Sequence, residues 1–383
     1  MPRALIIGGS LGGLFTAIAL RAIGWEVQVF ERSPSELSSR GGGIVLQPDV
    51  IAAFRFAGVE HGHMLGVRSG DRIYLDREDR VTHRSYMPQT QTSWNMLYAT
   101  MSRSLPDGVV HRSEEFVRLE QDGTKVRAHF SSGRMEEGDL LVGADGPGSS
   151  LRALLIDNIH PRYAGYVAFR GLLPEQELSG SASDKLMEVF AFQQGADHLL
   201  LEYLVPGLDE STLPGHRRWN WVWYRKVAAG EGLTSLMRDR HGRQRTFSLP
   251  PGAMKDSDIH ALRTAARELL APTFQELLER TVDPFAQAIL DLQVPQMVFG
   301  RAVLLGDAAF IPRPHTAGST AKAATNAIAL ARALDKRAAT IEQCLAEWEA
   351  EQLQLGTRMT EWGIAMGDKI MDISSSRSAL HHP

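Results

Sequence analysis

The chain has almost no cysteine. Cys344 is the only one in 383 residues, which excludes an internal disulfide. It follows Ile341 and precedes Leu345 and Trp348 at helical spacing, so it reads as a packing residue, a small hydrophobe rather than a reactive thiol. There is no excess of positive charge either: 41 Lys and Arg face 45 Asp and Glu, for a net charge of -4. That leaves no basic field to recruit nucleic acid or anionic lipid. No apolar run approaches the about 20 residues needed to cross a bilayer. The first strand begins within three residues of Met1, without the layout of a secretory leader, and together these features point to a cytoplasmic, water-soluble chain. No metal-ligand spacing is present. The nearest approach, His61-x-His63, sits in a polar stretch and reads as solvated, so no metal site is expected. Internal repeats, low-complexity segments and linkers are also missing, so any domains are expected to be interwoven rather than strung in series.

What is present is organised at the N-terminus. Ala4 to Ile7 form a continuous apolar run, as a buried parallel strand should. Leu11, Leu14, Ala17, Ile18 and Leu20 recur at helical spacing, Gly24 ends that helix, and Glu26 to Phe30 read as a second strand. This is a βαβ start. Further along, a glycine run at 41–43 leads into Ile44 to Pro48 and a short helix to Gly58. Residues 71–86 alternate like a hairpin, and 116–130 read as two strands around Asp122-Gly123. The region from Tyr163 to Arg225 is strand-rich, 258–281 is an amphipathic helical region interrupted at Pro272, and 316–336 and 340–372 read as helices. Residues 373–383 read as a disordered tail. Trp219, Trp221 and Trp223 alternate, which places three indoles on one face of a sheet. A packing face explains them better than substrate stacking.

Three short segments carry the chemistry. In the first, Gly8-Gly9-Ser10-Leu11-Gly12-Gly13, the chain turns from strand to helix. The helix N-terminus then offers unpaired N–H groups and a positive dipole end to a pyrophosphate. The usual pattern is G-x-G-x-x-G with an acid about 20 residues on. Gly8 and Gly13 match the outer glycines, Ser10 takes the middle place, and Glu31, followed by Arg32, ends the second strand where a carboxylate can take both ribose hydroxyls. This fingerprint alone does not separate NAD from FAD. The second segment, Val142-Gly143-Ala144-Asp145-Gly146, lets the chain turn sharply beside a dinucleotide. The third, Leu305-Gly306-Asp307-Ala308, ends a strand on an aspartate suited to ribityl hydroxyls. A helix starts shortly after it, near Gly318-Ser319-Thr320, with its N-terminus able to stabilise negative charge at the N1–C2=O edge of a flavin. Each segment alone is an ordinary turn after a strand; the three in this order point to FAD.

On these motifs the chain resembles the single-component FAD-dependent aromatic hydroxylases of the p-hydroxybenzoate hydroxylase type, over nearly its whole length. The resemblance implies an α/β protein: an FAD-binding Rossmann-like domain of the glutathione-reductase type, interwoven with a β-sheet substrate domain and followed by C-terminal helices. Residues 1–70, 93–160 and 285–338 would form the FAD domain, 71–92 and 161–284 the substrate domain, and 339–383 a helical segment and tail. A closer likeness to members acting on hydroxypyridines rests on Gly43 to Pro48, on Tyr163 to Val167 with Arg170-Gly171, on Trp223-Tyr224, on Pro312-Arg313-Pro314-His315 and on Lys322. It implies an aromatic or N-heteroaromatic substrate such as 2,6-dihydroxypyridine. Only one dinucleotide fingerprint is present, so NADH or NADPH would visit as co-substrate. O2 would add to the reduced flavin to give a C4a-hydroperoxide that hydroxylates the ring. A homodimer is the assembly such folds commonly form.

The resemblance also assigns residues. Gly43, Pro314 and Gly318 to Thr320 would flank the flavin. His315, Gln47, Tyr203 and Arg170 would act on the substrate side, with Tyr166, His198 and Trp221 as further candidates. His315 would either polarise a ring hydroxyl or fix its loop, and both readings stay open. Arg170 would bind a carboxylate or make a structural ion pair, and His198 reads as a strand surface histidine. Tyr98 stands where most members carry an arginine reaching the pyrophosphate side, with Arg103 nearby as its substitute, and Phe310 replaces a common histidine. A non-hydroxylating FAD oxidoreductase is the competing activity.

Overall fold

The computed structural model describes residues 1–35, 37, 42–60, 64–336 and 339–373. His61, His63, most of the 373–383 tail and part of the first glycine run lie outside them.

A six-stranded sheet is built from strands distant in sequence. Its order is Val298–Phe299, Ala302–Leu304, Leu140–Gly143, Arg3–Ile7, Glu26–Glu31 and Val110–Arg112. All neighbours are parallel except the first pair. Ala4, Leu5, Ile6 and Leu140 to Val142 are fully buried, which accounts for the uninterrupted apolar runs: helices cover both faces of such a sheet. The helix Leu11–Ala22 packs on the helix Ser319–Leu334 against it. The carboxyl ends of the central strands carry the turns at Gly8, Ala144 and Leu305, where ligands bind in open parallel sheets. A small antiparallel sheet, Phe116–Gln121, Val126–Phe130 and Met135–Gly138, flanks this layer. Its third strand was not expected from the sequence.

The larger sheet is mostly antiparallel. Its order is Ser248–Leu249, Phe285–Gln293, Arg162–Pro174, Arg218–Lys226, His198–Val205, Val189–Gln194, Val67–Leu75, Val81–Ser93 and Gly43–Val45, with Phe310–Ile311 pairing on Phe285–Gln293. Four of these strands fall outside the expected partition: Phe285–Gln293, Phe310–Ile311, Gly43–Val45 and the start of Val67–Leu75 lie in segments expected to form the cofactor domain but pair here. The chain therefore crosses between the two layers more often than its motifs suggest.

Alternation along Arg218–Lys226 divides its residues between two environments. Trp219, Trp221 and Trp223 are fully buried on the face covered by the helices Asp256–Leu269 and Pro272–Arg280. Each indole N–H finds an acceptor inside: the Glu175 carbonyl at 3.0 Å, Thr281 Oγ1 at 2.9 Å and His198 Nδ1 at 3.2 Å. Trp221 is thus a packing residue. His198 is corrected as well: it is buried against Trp223, not on the surface. Asn220, Val222 and Tyr224 point the other way. The last helix, Ile341–Ile370, opens with a capping box at Thr340 and Gln343 and closes over the second layer.

Candidate active site

A cavity of about 520 Å3 opens at the carboxyl ends of the parallel strands. Gly8 there has φ +104°, and a Cβ on it would lie 2.5 Å from the Ala144 carbonyl oxygen. A Cβ on Gly13 would lie 1.9 Å from the Gly8 carbonyl oxygen, so both outer glycines are required by close packing. Ser10 is the N-cap of the helix Leu11–Ala22, but its hydroxyl does not cap, and the first turn carries no acid. The helix N–H groups and dipole are left for an anion. Glu31 lines the cavity and is held from behind: Gly9 N donates to Oε2 and Ser33 N to Oε1, both at 2.8 Å. Each oxygen keeps acceptor capacity for a sugar hydroxyl.

Two aspartates complete this wall. Asp145 accepts from Ser150 N at 2.7 Å through Oδ2, while its Oδ1 is buried without a partner. Burial pushes the Asp145 carboxyl up. Asp307 Oδ1 takes Ser319 Oγ at 2.7 Å and Lys322 Nζ at 3.1 Å. Lys322 is fully buried. It also donates to the Gly306 carbonyl at 3.0 Å and to the Phe310 carbonyl. Burial pulls its ammonium down, and Asp307 draws it back up. Arg152, which no motif singles out, donates to the Ala308 carbonyl at 2.9 Å and to the Pro147 carbonyl at 2.6 Å. It thereby ties the turn after Asp145 to the turn after Asp307. The helix Ser319–Leu334 begins at Gly318 with no side-chain cap and no acid in its first turn, leaving a second open N-terminus.

A second cavity, about 440 Å3, lies against the large sheet. It shares Gly43, Ile44, Arg170, Ser319 and Thr320 with the first. Tyr74, Phe190, Phe192, Tyr203 and Tyr224 wall it, and His315 and Pro314 close one side. His315 Nε2 lies 2.9 Å from the Tyr166 hydroxyl, and its ring is 4.5 Å from that of Tyr224. Burial, with the Arg313 guanidinium beside it, pushes the imidazole down to about 4, so it is uncharged at neutral pH. Arg313 is itself fixed by a bidentate pair with Asp291 at 2.8 Å and by Asp368 at 2.7 Å. Burial raises the phenol of Tyr203 and so keeps it protonated. Among the described residues no carboxylate lies within ion-pair reach of Arg170, and its Nε is buried without a partner. The structural ion pair considered for it is absent among those residues.

Most of the residues chosen from the sequence converge. Gly8, Ser10, Leu11, Gly12, Glu31, Arg32, Asp145, Gly306 and Asp307 line the first cavity, with Gly13 packed behind it. Tyr203, Pro314, His315 and Gly318 line the second. Three depart. Tyr98 is buried and stacks on Trp94, and Trp94 is the ring that lines the cofactor cavity. Arg103 pairs with Glu210 through two contacts of 2.7 and 2.8 Å and reaches neither cavity. Gln47 is the N-cap position of the helix Pro48–Ala57 and lines neither. Trp94 and Tyr98 lie four residues apart on one side of the helix Trp94–Ser104, and only the packing shows which of them faces the cavity.

An open parallel sheet with uncapped helix N-termini, a placed Glu31, an unpartnered Asp145 oxygen and an oriented Asp307 fits FAD, and defines a flavoprotein. Residues 163–291 match the family model described as FAD binding domain-like. The chain is 34% identical over 355 residues to 2,6-dihydroxypyridine 3-monooxygenase of Paenarthrobacter nicotinovorans, across 92% of this chain and 88% of that one. It is 28% identical to 6-hydroxynicotinate 3-monooxygenase of Bordetella bronchiseptica, across 88% and 83%. The solved structure of 2,6-dihydroxypyridine-3-hydroxylase from Arthrobacter nicotinovorans superimposes with a TM-score of 0.90 at 32% identity, covering 98% of this chain and 94% of that one. The chain belongs to the FAD-dependent aromatic hydroxylase family. It is a flavoprotein aromatic monooxygenase, with FAD as its cofactor.

Lys322 should matter to that cofactor without touching it. Lys322→Met removes three hydrogen bonds that hold Gly306, Asp307 and Phe310. The expected result is a folded protein whose FAD dissociation constant is raised roughly tenfold, the scale of one charge-assisted hydrogen bond. Titration of apoprotein with FAD, read by flavin fluorescence, checks this.

Proposed function

We propose that this chain hydroxylates an electron-rich hydroxypyridine, with 2,6-dihydroxypyridine as the first candidate, using NADH or NADPH as reductant and O2 as oxidant. One observation carries this reading. The cofactor cavity opens into an aromatic-walled cavity at Gly43, Ile44, Arg170, Ser319 and Thr320. That is where a flavin ring would meet a flat substrate. In this reading the six-stranded layer holds the cofactor and the large sheet holds the substrate.

The residues divide the work. The N–H groups at Leu11 to Gly13 hold the pyrophosphate, Glu31 the ribose hydroxyls, and Asp307 the ribityl chain. FAD, once bound, supplies the electrons taken from NAD(P)H and the activated oxygen atom. The N-terminus of the helix Ser319–Leu334 stabilises negative charge at the flavin edge. Tyr74, Phe192 and Tyr224 orient the ring and exclude water. Neutral His315, held by Tyr166, keeps its other nitrogen for a ring hydroxyl, and Arg170 favours the oxyanion of that hydroxyl. A ring that is more anionic is a better nucleophile toward an electrophilic oxygen.

The test is NADH and NADPH oxidation by the yellow protein with and without 2,6-dihydroxypyridine, with the product identified by mass. The reading expects strong stimulation and the gain of one oxygen atom. A folded, FAD-loaded protein that no hydroxypyridine stimulates would overturn it.

A further inference from the structure

The second cavity has an unbalanced charge. Its lining includes two guanidinium groups, Arg170 and Arg72, and no aspartate or glutamate. Arg170 stands at the junction with the cofactor cavity, but Arg72 does not. The two come from Arg162–Pro174 and Val67–Leu75, strands four places apart in the sheet, so they reach the cavity from different parts of its wall.

Arg72 is held in place but not neutralised. Its Nη2 donates to Gln89 Oε1 at 2.8 Å, and its guanidinium carbon lies 5.3 Å from the ring centroids of both Phe190 and Phe192. Its Nε is buried and has no acceptor. Among the described residues no carboxylate lies within ion-pair distance of it; Asp71, its neighbour in sequence, pairs with Arg84 instead. Removing a cation from water without a counter-ion is costly, and stacking over two rings offsets only part of that cost. An anionic oxygen on the bound molecule would reach the open end of the fork at Nη1, for which no hydrogen bond is seen among the described residues, and balance the charge there. Guanidinium suits such a group because its donors form a planar fork.

Resting on the hydroxylase reading above, we infer that Arg72 is a specificity-determining residue that selects an anionic ring. It pairs with a carboxylate or ionised hydroxyl on the part of the substrate away from the flavin. The cation–π contacts keep the fork aimed into the cavity, and Gln89 fixes its roll. The anion completes a charge balance that the protein leaves open.

The experiment is calorimetric titration of the FAD-loaded protein with three rings. 6-Hydroxynicotinate carries a carboxylate, 2,6-dihydroxypyridine carries an acidic second hydroxyl, and 2-hydroxypyridine is neutral. At least one anionic ring should bind about tenfold or more tighter than the neutral one, the scale of a charge-assisted hydrogen bond. Which anionic ring shows the preference identifies the group that Arg72 takes. In Arg72→Gln the preference should fall to about threefold or less, with affinity for the neutral ring nearly kept. Gln89→Glu is the second variant. It places a carboxylate on the guanidinium while leaving the stack over Phe190 and Phe192 intact, and it should abolish the preference in the same way. Arg72→Lys should restore part of it. The inference fails if both variants keep the preference, or if Gln89→Glu lowers affinity for all three rings equally. If none of the rings binds wild-type protein at all, the proposed function has failed instead.

Discussion

Gly13→Ala is expected to give a protein with little or no yellow colour. The added methyl would sit 1.9 Å from the Gly8 carbonyl oxygen, far inside contact distance. Neither side can yield cheaply. Gly8 is at φ +104° and is pressed against Ala144 and Asp145 in the turn that ends the neighbouring strand, so it cannot retreat toward the sheet. The helix Leu11–Ala22 must instead move outward, taking its N–H groups away from the pyrophosphate. Overpacking of this kind costs about 1–3 kcal/mol or more, and most of that would appear as lost cofactor affinity, roughly tenfold to a hundredfold. The ratio of flavin to protein absorbance after gel filtration measures it, with circular dichroism confirming the fold. Gly12→Ala is the comparison, because its methyl meets only ordinary contacts at 3.8 Å, from Ala144 Cβ and Leu305 Cδ1. Full flavin content in Gly13→Ala would show that the turn does not hold the cofactor as described.

Glu202→Gln should make the protein more stable, and increasingly so as pH rises. Glu202 lies on the tryptophan face of the large sheet, opposite Ala191 and Trp221 in register. It is fully buried, and neither carboxyl oxygen has a partner. Burial pushes its pKa well above the ordinary 4.5. The unfolded chain loses this proton above that value, so folding at neutral pH must take a proton up. Stability therefore falls as pH rises from the unfolded value toward the folded one, by about 1.4 kcal/mol per pH unit at most. Glutamine carries no such proton. The wild-type melting temperature should drop relative to the variant as pH rises above the ordinary carboxylate value toward the raised folded one. Parallel pH curves for the two proteins would sink the idea. The variant's own unpaired amide lowers both ends equally, so the slope is the quantity to read.

The cofactor half was largely legible because its signals are local. A strand, a glycine turn and a helix within thirty residues of Met1 imply one another, and Glu31 follows from the length of the unit. The sheet alternation of Trp219, Trp221 and Trp223 was legible for the same reason. What depends on distant contacts was not. Arg152 acquires its role from Ala308, which lies 156 residues away. Gly43 sits in the large sheet because it pairs with Ser93, 50 residues on, and its N–H donates to Asn220 Oδ1 at 2.7 Å. Arg103 was chosen for its proximity in sequence to Tyr98, but a loop acid, Glu210, claims it. Arg72 attracted no attention in the sequence because nothing in Val67–Leu75 signals that Phe190 and Phe192 will lie beneath it.

The two faces of the strand Arg218–Lys226 can change independently. Its odd-numbered tryptophans are committed to the packed interior, each with its N–H satisfied. Its even-numbered neighbours Val222 and Tyr224 line the second cavity and pack in the smaller cluster with Tyr166 and Tyr203. A mutation at 222 or 224 therefore reshapes the second cavity and its cluster without touching the packed face of Trp219, Trp221 and Trp223. The architecture separates the residues that shape a cavity from those that hold the sheet together, so the cavity can change one substitution at a time while the tryptophan face stays intact.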